Sequence, residues 1–185
     1  MSEIRLPIAY YQAPDKRLQA TQDKLFKGLQ HLFENDIMFE DISVSKLCQT
    51  AGIARQTFYR HYDSMALIIE INLSRVVNQF LQQVDAQGNH LPDSAPLTIK
   101  ILRQNQTLIR MLEWAQLTET AIDYLVNDMA RVDYIRDLTN WNQPFVDEMF
   151  ARAVVSFAQV MTKHSDLTDD TLIQLYQQTV LNAFN

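Results

Sequence analysis

Arg55, Gln56, Thr57, Tyr59, Arg60 and His61 stand in one short run and carry guanidinium, amide, hydroxyl, phenol and imidazole groups, with no carboxylate among them. Each of these groups can donate a hydrogen bond, which is what phosphate oxygens and many base edges accept. Phe58 and Tyr62, four residues apart, share one helical face and belong to a core. The other side chains therefore crowd the exposed surface of one short helix. A B-form major groove admits one α-helix, with phosphate contacts fixing its register and base-edge contacts reading sequence.

The preceding residues form the element that would position this helix. Val44, Leu47 and Cys48 recur at helical spacing, and Ala51-Gly52-Ile53 makes a turn into the next helix, so Asp41 to Leu67 reads as a helix-turn-helix. A longer helix from about Pro14 to Asn35, with Leu18, Leu25, Phe26, Leu29, Leu32 and Phe33 on one face, supplies the scaffold on which both pack. Residues ahead of Pro14, with Pro7 and the pair Tyr10-Tyr11, form an arm that either stays disordered or touches DNA.

Ala51-Gly52-Ile53-Ala54 followed by Thr57-Phe58-Tyr59-Arg60-His61-Tyr62 resembles the helix-turn-helix of the TetR family of bacterial transcriptional regulators. The resemblance runs from the helix around Leu18 to Leu67, about the first third of the chain. It implies an all-α protein in which an N-terminal three-helix DNA-binding domain, residues 1–65, is joined to a helical ligand-binding and dimerisation domain, residues 66–185. Gln56 and Thr57 match the positions where relatives approach bases; Gln can pair with adenine, and a Thr methyl can meet the thymine methyl. Tyr59 and His61 match positions that bind backbone phosphate in the family. Arg55 and Arg60 supply charge for phosphate or guanine, and Ser43 and Lys46 add phosphate contacts from the preceding helix. His61 has the alternative of capping the helix end, and Arg60 that of a solvated surface position. The chain departs from the family pattern at Met65, where many relatives carry a phosphate-binding lysine, and at Ala54, often a Ser or Thr cap.

Composition agrees with a helical protein. Of 185 residues 47% are hydrophobic and 21% charged, and only 3 are Gly and 5 Pro. The net charge of −6 lies entirely in the C-terminal part, because residues 1–65 hold eight Lys/Arg and eight Asp/Glu. Between Ser43 and Met65 three basic residues face one acidic residue, and this local surplus is what bears on phosphate binding. The single cysteine, Cys48, excludes an internal disulfide and reads as a small core packer. No apolar run approaches the ~20 residues that span a bilayer, and the first residues lack a secretory layout, so a cytoplasmic location is expected. The four histidines, His31, His61, His90 and His164, lack metal-ligand spacing, and no phosphate loop or nucleophile motif is present. Neither an enzyme nor a cofactor or metal is expected.

Beyond the motif, a long rod capped by Asp63 or Ser64 should carry Leu67 to Leu81 and stop at Gly88-Asn89-His90-Leu91-Pro92. A helix capped by Ser94, with Pro96 in its first turn, should run to about Leu112, and another from about Ala115 to Val126. Residues 127–144 are less regular. The last helices are placed at about Pro144 to Lys163 and Thr168 to Phe184, and the resemblance implies that this pair forms a homodimer interface, the alternative being that both pack on their own core. It also implies a pocket for a small-molecule effector among the middle helices, for which Met111, Trp114, Tyr124, Met129, Tyr134 and Trp141 are the candidates, though residues at such spacing are more often plain core. Glu113, Glu119, Asp123 and Asp128 raise a cationic ligand or a solvated acidic face. The expectation is a homodimeric, ligand-responsive repressor binding a double-stranded DNA operator; the rival is a helical co-regulator acting mainly through protein partners.

Overall fold

The computed structural model describes residues 15–87, 94–129 and 143–183, and every regular element among them is helical. The chain is therefore all-α over the described residues. The N-terminal arm, the Gly88–Pro92 break and residues 130–142 of the stretch expected to be irregular lie outside them, while 127–129 and 143–144 belong to helices.

Helix α1, Lys16–Glu34, starts at Asp15, whose carboxylate accepts the backbone N–H groups of Arg17 and Leu18 at 2.8 and 3.0 Å. It buries Leu25, Leu29 and Leu32. Helix α2, Val44–Ala51, crosses it closely at Gly28, where an added Cβ would meet the Ala51 Cβ at 3.0 Å and Leu47 Cδ1 at 3.1 Å. Helix α3, Arg55–His61, follows after the Gly52 turn, and α4, Ala66–Gln87, is the rod. Ser64 rather than Asp63 caps it, its Oγ accepting the Leu67 N–H at 3.3 Å.

Two expected boundaries move. The helix expected from Ser94 to Leu112 is divided into α5, Ala95–Gln104, and α6, Gln106–Trp114. Asn105 causes the division. Its side-chain Nδ2 takes the Ile101 carbonyl at 2.8 Å, and its backbone N–H turns to Leu102 O at 3.2 Å, so the regular i to i−4 bond is replaced. Ser94 begins α5 without a side-chain capping bond. The helix expected at Ala115 instead starts as α7, Thr118–Met129, because α6 continues to Trp114 and stops in a left-handed turn at Gln116, φ 57°.

Helix α8 spans Gln143–Lys163. Helix α9, Asp169–Thr179, is capped by Thr168, whose Oγ1 accepts the Thr171 N–H at 3.3 Å; it ends before the expected Phe184 and gives way to a short 3₁₀ turn at Leu181–Ala183.

One apolar core runs without interruption from the α1–α3 head through α4 into α6 and α7, including Leu25, Leu47, Phe58, Ile68, Ile71, Met111 and Tyr124. A second core joins α5, α8 and α9 around Ile99, Met161, Leu172 and Tyr176. Trp114 fastens α6 to the head: its indole Nε1 donates to the Ile37 carbonyl at 2.9 Å, and its ring meets Phe33 and Phe39 edge-on at 5.3 and 5.0 Å. Arg75 fastens α4 to α1, donating to Asp23 at 2.8 Å and to the buried amide oxygen of Gln22.

Candidate nucleic-acid interface

The orientation of α3 is set by how α2 ends. Gly52 adopts φ 64°, ψ 37°; the Ile53 N–H reaches back to Cys48 O at 2.9 Å and the Gly52 N–H to Gln49 O at 3.3 Å. This is a left-handed helix stop, in which glycine avoids the clash between Cβ and carbonyl that other residues suffer. Below α3, Phe58 and Tyr62 are buried with ring centroids 5.5 Å apart, as their spacing predicted. Cys48 is buried beneath the same turn; desolvation raises its thiol pKa, partly opposed by the Arg55 charge, which keeps it a neutral packer.

With Phe58 anchored, Arg55, Gln56, Tyr59 and Arg60 face solvent, and Thr57 and His61 are half-exposed. Tyr59 keeps 58% of its surface accessible, unusual for a large aromatic ring, while its edge contacts Phe58 at 5.4 Å. Arg60 Nε donates to His61 Nε2 at 3.2 Å. With Nε2 accepting, the neutral ring carries its proton on Nδ1, which becomes the imidazole's donor. Arg60 is thus tied to its neighbour rather than freely solvated.

Ser43 and Lys46 lie at the other end of the motif. Ser43 caps α2, its Oγ accepting the Lys46 N–H at 3.1 Å, which leaves the hydroxyl hydrogen able to donate outward. Lys46 is exposed. The two departures from the family pattern have physical counterparts here. Met65 is half-buried against the core, and Ala54 begins α3 without a side-chain cap. Asp15 is an acidic neighbour of His61, and its carboxyl is held below the usual range, chiefly by the backbone N–H groups of Leu18 and Arg17.

The body holds a cavity of about 170 Å³ between α4, α5, α6, α7, α8 and α9, lined by Val76, Phe80, Leu108, Ile109, Val154 and Val155 among others. Of the side chains expected to line a pocket, the three that are described lie elsewhere. Met111 and Tyr124 belong to the core that continues into the head, and Trp114 is held by Ile37, Phe33 and Phe39. They turn away because α6 has two faces, one on the cavity and one on the head. Met129 ends α7 with its side chain outside the described residues, as are Tyr134 and Trp141. Glu113 and Glu119 pair with Lys163 at 4.0 Å and Arg152 at 2.9 Å on the surface, so neither lines the cavity. No sequence signal marked the real lining, which is drawn from six helices and is largely apolar, with a few polar side chains such as Thr98, Thr118 and Gln159.

Among the described residues, no cluster of three or more His, Cys, Asp or Glu side chains is arranged to hold a metal ion, and no helix is long and apolar enough to cross a membrane.

No protein-family model and no curated protein matches the chain. Among solved structures, it is similar to Lin0861 from Listeria innocua, with a TM-score of 0.83 and 27% identity over 92% of this chain and 94% of that one. It also shares its fold with the dihydroxyacetone kinase operon activator DhaS, at a TM-score of 0.57 and 19% identity over 89% and 93% of the two chains. The all-helical fold is thus one that a known transcriptional regulator also adopts.

Proposed function

We propose that this protein is a TetR-like, ligand-responsive transcriptional regulator that binds double-stranded operator DNA as a homodimer, and by the habit of that family a repressor. Residues 1–65 form the DNA-binding part and residues 66–185 the regulatory and dimerising part. The observation that carries the reading is α3 itself: Arg55, Gln56, Tyr59 and Arg60 are exposed on a helix whose orientation is fixed by the Gly52 stop and by buried Phe58 and Tyr62. Gln56 and Thr57 are the base readers. Tyr59, His61, Ser43 and Lys46 contact phosphates, and Arg55 and Arg60 contact phosphate or guanine.

Two further features support the regulatory half. Phe145, Met149 and Val160 expose 68%, 43% and 51% of their surfaces along one face of α8, with Leu175 exposed on α9, an apolar patch of the kind a second copy would cover. Helices α4 and α6 each contribute one face to the cavity and another to the head, so a cavity ligand that displaces them moves α3. Dimer heads must meet major grooves ~34–36 Å apart, so such a displacement weakens operator binding.

A fluorescence-anisotropy titration against duplexes from the protein's own promoter region, at two salt concentrations and beside Tyr59→Ala, tests the proposal. Selective binding that weakens with salt by about 0.9 log units per tenfold for each phosphate neutralised, and weakens again in the variant, is expected. DhaS is an activator, so a reporter gene should be read for loss as well as gain of expression. Equal, weak binding of all duplexes by both proteins overturns the proposal. That result favours the second reading, a co-regulator working through protein partners, which the burial of Met65 and the exposed apolar face of α8 support.

A further inference from the structure

We propose that the cavity between the body helices binds an uncharged, mainly apolar molecule about the size of one aromatic ring, bearing at most one hydroxyl-type group. The cavity measures about 170 Å³, and an apolar cavity of ~150 Å³ is known to accept benzene. Among the described residues, its lining contains no Asp, Glu, Lys, Arg or His. A charged ligand would therefore lose its hydration with no counter-charge to replace it, which favours neutral molecules strongly.

The lining polar groups narrow the choice. Thr98 Oγ1 donates to the Ser94 carbonyl at 3.0 Å and Asn105 Nδ2 to Ile101 O at 2.8 Å, so both spend donors on their own backbone. Gln159 Nε2 donates to Thr118 Oγ1 at 3.1 Å. That bond leaves the Gln159 amide oxygen as an acceptor and the Thr118 hydroxyl hydrogen as a donor, side by side on α8 and α7. A ligand hydroxyl satisfies both at once, whereas the described lining is otherwise largely apolar, so a second polar group on the ligand would meet few partners. The effector role of such a molecule rests on the regulator reading above; its binding does not.

Four probes of one ring size test the inference by calorimetric titration of the whole chain: benzyl alcohol, toluene, benzoate and benzylammonium. Saturable binding of benzyl alcohol and toluene is expected, with the two ions weaker by at least about tenfold. Ala158→Leu, which extends a side chain into the cavity, should weaken both neutral probes by about tenfold or more. Gln159→Leu should abolish the preference for benzyl alcohol over toluene while toluene still binds. Ions that bind as tightly as benzyl alcohol, no saturable binding of either neutral probe, or unchanged affinity in folded Ala158→Leu would each overturn the inference. The charge series on the wild-type protein decides the matter alone should that variant not fold. The titration contains no DNA, so failure of the regulator reading leaves its result standing, and failure of the inference leaves DNA affinity untouched.

Discussion

Two helices of this protein stop in the same way with opposite chemical choices, and exchanging those choices should shift stability in opposite directions. Helix α2 stops at Gly52, φ 64°, and α6 stops at Gln116, φ 57°, each closed by a bond from the following residue back across the turn: Ile53 N–H to Cys48 O at 2.9 Å, Leu117 N–H to Leu112 O at 2.8 Å. A Cβ added at Gly52 would meet nothing within 4 Å, so Gly52→Ala removes no space and makes no clash with a neighbour. Its cost is the left-handed backbone alone, about 1–2 kcal/mol, offset by the ~0.4–1 kcal/mol that Ala gains by having fewer unfolded conformations. A net loss of about 1 kcal/mol follows, or about 2–4 °C in Tm for a chain of this size. Gln116 is exposed and makes no side-chain hydrogen bond among the described residues, so Gln116→Gly reverses the same terms and should gain up to about 1 kcal/mol. Urea unfolding followed by circular dichroism measures both, with the denaturant slope checked for constancy. Gly52→Asn should fall between Gly and Ala, because Asn tolerates the left-handed region. The reasoning fails if Gly52→Ala is neutral, if Gln116→Gly destabilises, or if the Gly52→Ala loss exceeds about 3 kcal/mol, which backbone conformation alone does not supply.

Ala54→Ser should give α3 the side-chain cap it lacks and raise stability by about 1 kcal/mol, read from the same urea transitions. Arg75→Met removes the partner of the buried Gln22 amide oxygen and the bond to Asp23; a loss of about 1–3 kcal/mol is expected in denaturant unfolding. Asp15 titrates below the usual carboxylate range because the N–H groups of Leu18 and Arg17 bind its ionised form, so its stabilising effect is complete above the unfolded carboxylate pKa and is lost as pH falls through the lower folded value. Asp15→Ala should therefore melt below the wild-type protein at neutral pH, and the gap should close between about pH 5 and pH 2 in thermal melts.

The motif helices were legible because their signals are local. A glycine at the turn, apolar residues at helical spacing and two aromatics four apart lie within a few residues of the structure they specify. The same is true of Thr168, whose hydroxyl caps the helix that begins at the next residue. The break at Asn105 was not legible, since apolar spacing continues through it and the residue that causes it is neither Gly nor Pro. Gln116 stops α6 in a conformation that usually calls for glycine, which hid that end. The spacing of Trp114 suits a pocket or, more often, plain core, and it packs against the core; its indole bond to the Ile37 carbonyl is a long-range contact with no trace in spacing. The cavity was beyond reach for the same reason: its walls are mostly ordinary apolar residues of several helices, and only their packing leaves a space.

The most direct measurement of the central claim is selection of duplexes from a random-sequence pool by the wild-type protein, by Gln56→Ala and by Lys46→Ala. The wild-type protein should enrich a two-fold symmetric sequence with half-sites about one helical turn apart. Gln56→Ala should lose preference at one position in each half-site, at a cost of about 1–3 kcal/mol for the preferred base. Lys46→Ala should keep the sequence preference and weaken all binding uniformly, with a salt slope shallower by about one unit. Failure of the wild-type protein to enrich any sequence over the pool, or an unchanged preference in Gln56→Ala, would contradict the assignment of α3 as the helix that reads DNA.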